Sequence, residues 1–347
     1  MLATKSFAAF NNHDDLKPYD FNRRDVGNND IRIDILYCGV CHSDIHMVHD
    51  DWGMATYPLV PGHEIIGRVK SIGAGVQGFT EGELVGVGCL VDSCRECEPC
   101  KNHLEQHCEQ GMTMTYGSPD PHGADAITQG GYSTQIVVDK DYVLKVSETL
   151  DTKAVAPLLC AGITTYSPLR QWNVKAGDKV GVIGLGGLGH MGVKLAAAMG
   201  AEVVMITTSP EKGEDAKRLG ASDVLVSTDE AQMTAHANSF DFLLDTVPVA
   251  HSLDPYIPLL KFGKVLVVVG ATPTEVNSFG LDFGRKIIAG SLIGGMQETQ
   301  EMLDFCAEHN VVSDVEVIDM QEINTAYDRV MKSDVKYRFV IDMHSIK

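Results

Sequence analysis

Positive charge, tryptophan and long apolar runs are all scarce in this chain. Lysine and arginine number 28 against 47 aspartates and glutamates in 347 residues, a formal net charge of −19. Such a balance works against phosphate backbones and anionic membranes, so neither a nucleic acid nor a membrane is expected as a partner. The longest apolar region, near 180–206, is broken by Lys194, Glu202 and many glycines and does not read as a membrane span. The start, MLATKSFAAFNNHDD, holds no sustained apolar core of the kind a secretory leader needs. Internal repeats and low-complexity segments are not visible either.

Cysteine, by contrast, is plentiful at nine residues. Without an export signal, these thiols point to metal binding in a reducing cytoplasm rather than to disulfides. Four of them, Cys94, Cys97, Cys100 and Cys108, fall within fifteen residues. Zinc suits such a set, being borderline soft and taking four ligands tetrahedrally. An iron–sulfur cluster is the rival. Bacterial ferredoxin runs place the fourth cysteine three residues on and follow it with proline. Here the gap is seven and Glu109 follows, which favours a closed structural zinc site.

The length calls for two domains. Early segments such as IRIDILYCGV, IIGRVKSIGAGV and YSTQIVV read as short strands punctuated by glycine. From about Val155 the texture changes. KVGVIG, VVMI, DVLV, FDFLLDT and KVLVVVG read as strands, with LGHMGVKLAAAMG and EDAKRLG as helices between them. Leu188, Met191, Leu195 and Met199 recur at helical spacing, and Gly200 ends that helix. Apolar strands alternating with helices indicate a doubly wound parallel sheet. The helix ETQEMLDFCAEHN and the strand YRFVIDM carry no new glycine fingerprint and are expected to return to the first domain.

Gly184-Leu-Gly186-Gly187-Leu188-Gly189 lies between a strand and a helix, the context a dinucleotide fingerprint requires. The first glycine serves the tight turn, the second the approach of the pyrophosphate, and the third close packing of helix on strand. An NAD site places Asp or Glu at the end of the next strand to bind the ribose diol. Here that strand ends in Thr207-Thr208-Ser209, with Lys212 just beyond. Hydroxyls and a cation suit the 2′-phosphate of NADP; the alternative is a plain turn with Ser209 capping the following helix.

Cys41, His63 and Cys160 are weak as isolated residues, since a lone histidine or cysteine is usually structural. Their settings are CGVCHSDIH, PGHE and LCAG. At these residues the chain resembles the zinc-dependent medium-chain alcohol dehydrogenases over essentially its whole length. PLLCAGITTYSPL, GGLGHMGVKLA, SLIGG and ETQEMLDFC place the resemblance closest to the cinnamyl alcohol dehydrogenase branch and its bacterial NADPH-dependent aldehyde reductases. It implies a Rossmann nucleotide-binding domain over 154–295. A mainly β, GroES-like catalytic domain would be built from 1–153 and 296–347, with the active site in the cleft between the two.

The resemblance makes Cys41, His63 and Cys160 the ligands of a catalytic zinc, with Glu64 as an occasional alternative ligand. Asp44 would hold the tautomer of His63, and Ser43 would pass a proton towards the cofactor ribose and His46. Cys38, Cys89 and Cys306 match no ligand position and are expected to be buried. The implied activity is reversible, NADPH-dependent reduction of small or aromatic aldehydes, with two zinc ions per chain. Trp52, Met54 and Leu90 are candidate pocket residues. A homodimer is expected through 265–269 and SLIGG. Rivals are a polyol dehydrogenase, a zinc-free quinone reductase, and a zinc-holding redox sensor or inactive structural protein.

Overall fold

The computed structural model describes residues 1–347 except 123–125 and 271. The chain divides into two compact units, residues 1–160 with 294–347, and residues 161–293.

In the first unit, the main sheet has seven strands. Its path runs Val315–Asp319, Arg338–Asp342, Asp30–Gly39, Ile65–Ile72, Leu84–Val87 and Leu144–Lys145, with Gln135–Asp139 also pairing Asp30–Gly39. All these pairings are antiparallel except that of Val315–Asp319 with Arg338–Asp342. Ile31, Ile33, Ile65 and Ile66 are fully buried, as β-branched residues on a pleated, covered face are expected to be. The C-terminal segment is therefore a structural part of this unit: Ile341 sits opposite Cys38 in the register.

The second unit holds a six-stranded parallel sheet. The order is Asp223–Val226, Glu202–Thr207, Lys179–Ile183, Phe240–Asp245, Leu260–Val268 and Ile287–Gly290. Chain order reverses between Lys179–Ile183 and Phe240–Asp245, and ligands of such sheets bind outside the carboxyl ends of the strands at this switch point. The run 265–269 does not supply the sheet edge, since Leu260–Val268 is flanked on both sides. The edges are Asp223–Val226 and, beside Leu260–Val268, Ile287–Gly290, a strand too short and polar-flanked to stand out in the sequence.

Candidate functional site

The helix Gly189–Ala198 begins after the glycine turn and buries His190, Met191, Val193, Leu195 and Ala196. Gly184 has φ +90°, open only to glycine at little cost. A Cβ on Gly186 would meet nothing within 4 Å, so this backbone is open to a ligand, whereas one on Gly189 would run into the Gly184 carbonyl. Thr246, after the neighbouring strand, donates its hydroxyl to the carbonyls of Ile183 (2.8 Å) and Gly184 (3.0 Å) and pins the turn. A dinucleotide pyrophosphate fits this cradle.

Beyond the next strand the residues separate. Thr207 is buried and its hydroxyl accepts the Ser209 N–H at 3.1 Å. Thr208 is exposed. Ser209 stands at the N-cap position of the turn Pro210–Lys212, but its side chain makes no capping hydrogen bond. Lys212 Nζ reaches back to the Leu185 carbonyl at 3.4 Å, which places the cation beside the glycine turn.

In the first unit, Cys94, Cys97, Cys100 and Cys108 bring their sulfurs within 4.8 Å of one another. The Cys94 and Cys100 sulfurs are 3.9 Å apart. Tyr142 donates to Ser93 Oγ at 2.7 Å, and that hydroxyl lies 3.2 Å from Cys100 Sγ. Arg95 fastens the lobe through Asp92 (2.9 Å), Asp139 (3.3 Å) and Asp141 (2.9 Å). Burial pushes the Cys100 thiol up to about 12. Four thiols grouped in this way can fill all four positions of a tetrahedral zinc.

The second cluster joins Cys41, His63, Glu64 and Cys160, with donor atoms also within 4.8 Å of one another. Cys41 is the N-cap of helix His42–Val48, and Asp44 Oδ2 accepts the Cys41 N–H at 2.9 Å. Asp44 Oδ1 faces His63 Nδ1 at 3.0 Å, which leaves Nε2 for a metal. Burial lowers the His63 pKa, but the charge of Asp44 outweighs it and the ring sits well above its ordinary value. The hydrogen bond from Cys160, whose sulfur is 3.8 Å away, and the charge of Arg338 hold the Cys41 thiol well below its usual range.

Glu64 is fully buried and pairs with Arg338, whose Nε also donates to the Val40 carbonyl at 3.1 Å. Burial raises the Glu64 carboxyl to about 7 against the pull of Arg338. Its Oε2 has no hydrogen-bond partner. Two soft thiols, an imidazole nitrogen and an orphaned carboxylate oxygen are a donor set that fits zinc.

Ser43 is half-buried on the same helix as His46, and no direct hydrogen bond links the two among the described residues. His46 instead binds Asp51 through Nδ1 at 2.7 Å and packs between His42 and Trp52. Met54 is exposed and Leu90 buried. Cys38 and Cys306 are buried, but Cys89 is only half-buried, and its thiol lies against the Leu159 carbonyl at 3.5 Å and beside Cys160. Sequence reasoning passed over Arg338, Tyr116, Tyr132 and Tyr327. The ring of Tyr116 lies 5.8 Å from that of His63. Only the tertiary structure brings these side chains to Asp44, His63 or Glu64.

Comparison with known proteins agrees with this geometry. Residues 27–148 match the family described as Alcohol dehydrogenase GroES-like domain, and residues 187–308 match Zinc-binding dehydrogenase. The aldehyde reductase YahK of Escherichia coli strain K12 is 54% identical over 99% of both chains. The chain belongs to the zinc-dependent medium-chain alcohol dehydrogenases. Within that family it falls with the cinnamyl alcohol dehydrogenase branch. The crystal structure of the Helicobacter pylori enzyme of that branch, complexed with NADP(H), superposes with a TM-score of 0.93 at 43% identity, covering 100% of this chain and 99% of that one. A mannitol dehydrogenase of Petroselinum crispum is 52% identical over 94% of this dehydrogenase and 98% of its own length.

Proposed function

We propose that the protein is an NADPH-dependent aldehyde reductase that interconverts aldehydes and primary alcohols. The observation that carries this reading is the Cys41, His63, Glu64 and Cys160 donor set. In the same chain the glycine turn is followed by a strand end with no carboxylate. The relatives above, one an aldehyde reductase and one holding NADP(H), support it.

Cys41, His63 and Cys160 would hold the catalytic zinc with Glu64 in reserve, and Cys94, Cys97, Cys100 and Cys108 a structural one. Zinc at the first set supplies a Lewis acid towards a carbonyl oxygen, and the nicotinamide supplies the hydride. Asp44 keeps the proton on His63 Nδ1. The Ser43 hydroxyl would give or take the proton at the substrate oxygen, and His46 would exchange it with solvent. The Asp51 carboxylate on Nδ1 orients the His46 ring so that Nε2 can exchange with solvent. The division of labour follows the compact units, with the metal ligands in the first and the nucleotide cradle in the second.

Turnover of an aldehyde panel with NADPH and NADH, and of polyols with the oxidised cofactors, tests this reading. Aldehyde reduction with NADPH should dominate. Preferential oxidation of mannitol would favour a polyol dehydrogenase, a second reading that the Petroselinum crispum relative supports. Elemental analysis should find two zinc ions per chain; one or none, or iron at the four-cysteine site, would contradict the assignment.

A homodimer is part of the proposal. Ile287–Gly290 ends the sheet, and Phe262, Phe279 and Phe283 are 71%, 64% and 66% exposed in the same unit. An unpaired edge beside exposed aromatics is a liability that pairing across a two-fold axis removes. Light scattering at micromolar protein should give twice the 37.6 kDa chain mass, and a monomer mass would exclude the pairing. Among the described residues no helix is long and apolar enough to cross a membrane.

A further inference from the structure

We propose that Tyr132 and Tyr327 form a hydroxyl chain that positions Asp44 and, through it, the His63 imidazole for metal binding. This rests on reading His63 as a ligand of the catalytic zinc.

Asp44 has no exposed surface, so the lone pairs of its carboxylate must be filled from within the protein. Oδ1 takes the Gly62 N–H at 3.1 Å and His63 Nδ1 at 3.0 Å. Oδ2 takes the Cys41 N–H at 2.9 Å and, over a longer contact, the Tyr132 hydroxyl at 3.4 Å, and the Tyr116 hydroxyl also bonds this carboxylate. Tyr327 in turn donates to the Tyr132 hydroxyl at 3.5 Å. Every proton in the line therefore points one way, from Tyr327 through Tyr132 to Asp44, whose other oxygen holds His63.

The ring of Tyr132 is also fixed in place. Gly62 adopts φ +101°, and a Cβ there would lie 2.6 Å from Tyr132 Cδ1 and 2.8 Å from Cys38 Sγ. The ring thus packs on the backbone whose N–H reaches Asp44. Burial raises the hydroxyl pKa of both tyrosines well above the ordinary value, so they remain protonated donors. Tyr327 lies on helix Ile323–Met331 of the returning C-terminal segment. That segment also supplies Arg338 to Glu64, so it touches Glu64 directly and His63 only through Tyr132 and Asp44.

Outer partners of metal-bound histidines typically change metal affinity by about ten- to a hundredfold when removed. Asp44 is that partner here, and the tyrosines act through it over long contacts, so the lower end is the upper bound for them. The test uses the zinc-loaded full chain and follows zinc release to a metallochromic chelator. The four-cysteine zinc serves as an internal reference. Tyr132→Phe should release the Cys41, His63 and Cys160 zinc faster, by up to about tenfold, and leave the reference release unchanged. Tyr327→Phe should act in the same direction but less, and the double variant should match Tyr132→Phe alone. Cobalt substituted at the catalytic site should show a shifted ligand-field band in Tyr132→Phe.

Wild-type release from both sites in the variants would overturn the chain, as would equal acceleration at both sites, which marks general destabilisation. Additive effects in the double variant would show two separate hydroxyls and overturn it as well. If Tyr132→Phe does not fold, Tyr327→Phe carries the same two-site comparison. A wild-type protein that holds only the four-cysteine zinc would overturn the reading of His63 as a ligand, and this proposal with it.

Discussion

Cys160→Ser is expected to leave a folded protein that no longer turns over aldehyde, whereas Cys100→Ser should chiefly cost folding. Cys160 belongs to the mixed donor set with Cys41, His63 and Glu64, and it sits in a well-packed region where Val155, Leu158 and Leu159 are buried. Exchanging its sulfur for oxygen removes a soft ligand and little packing. Turnover should fall by more than about a hundredfold, beyond the effect of losing an outer partner. The Cys100 lobe is different. Between Cys94 and Cys108 the sequence offers one large aliphatic residue, Leu104, and it is 41% exposed. With almost no apolar core, the lobe depends on its thiolates and the Arg95 ion pairs, so metal binding there is also folding free energy. Losing several kcal/mol of it should lower the melting temperature by roughly 10 °C or more. Zinc content, circular dichroism and turnover measured on both variants decide the matter, and the reverse pattern would mean that the two sites have been misassigned.

The second large effect is expected at the nucleotide cradle. Lys212→Ala should raise KM for NADPH and leave NADH nearly unchanged, because only the former carries the 2′-phosphate. A charge-assisted contact contributes roughly 1.5–3 kcal/mol, or about ten- to a hundredfold in preference. Thr207→Asp should go further, weakening NADPH by repulsion while offering NADH the acceptor its ribose diol lacks here. Thr207 is buried, so the new carboxylate carries a desolvation cost that the Ser209 N–H now taken by the threonine hydroxyl offsets only in part. Equal efficiency of the wild-type protein with NADH and NADPH would sink the phosphate reading. Against the helix-cap alternative stands the Ser209 side chain, which makes no capping bond.

Much of the site was legible because its chemistry is local in sequence. The four cysteines of one cluster lie within fifteen residues, and the glycine turn sits between a strand and a helix of matching periodicity. The helical recurrence of Met191 and Leu195 reports a buried helix face because burial follows helix geometry, but Leu188 and Met199 fall outside the helix as its N-cap and C-cap and are only half-buried. Cys41, His63 and Cys160 were legible only through their settings in the chain, since their spacing spans 119 residues and encodes no geometry.

What composition and pattern determined by themselves was the class of the molecule: an acidic α/β protein with a parallel nucleotide-binding sheet and a cluster of cysteines. The tertiary structure alone decided which buried polar groups meet. Arg338 reaches Glu64 across 274 residues and Tyr327 reaches Tyr132 across 195. It also decided that Ile287–Gly290, rather than the more apolar 260–268 strand, forms the edge on that side of the sheet. The physical reason is common to these cases. Periodicity records whether a side chain is buried, but a partner far along the chain is chosen by topology and register, and a tyrosine or arginine in an apolar strand or helix carries no local mark of the carboxylate it will satisfy.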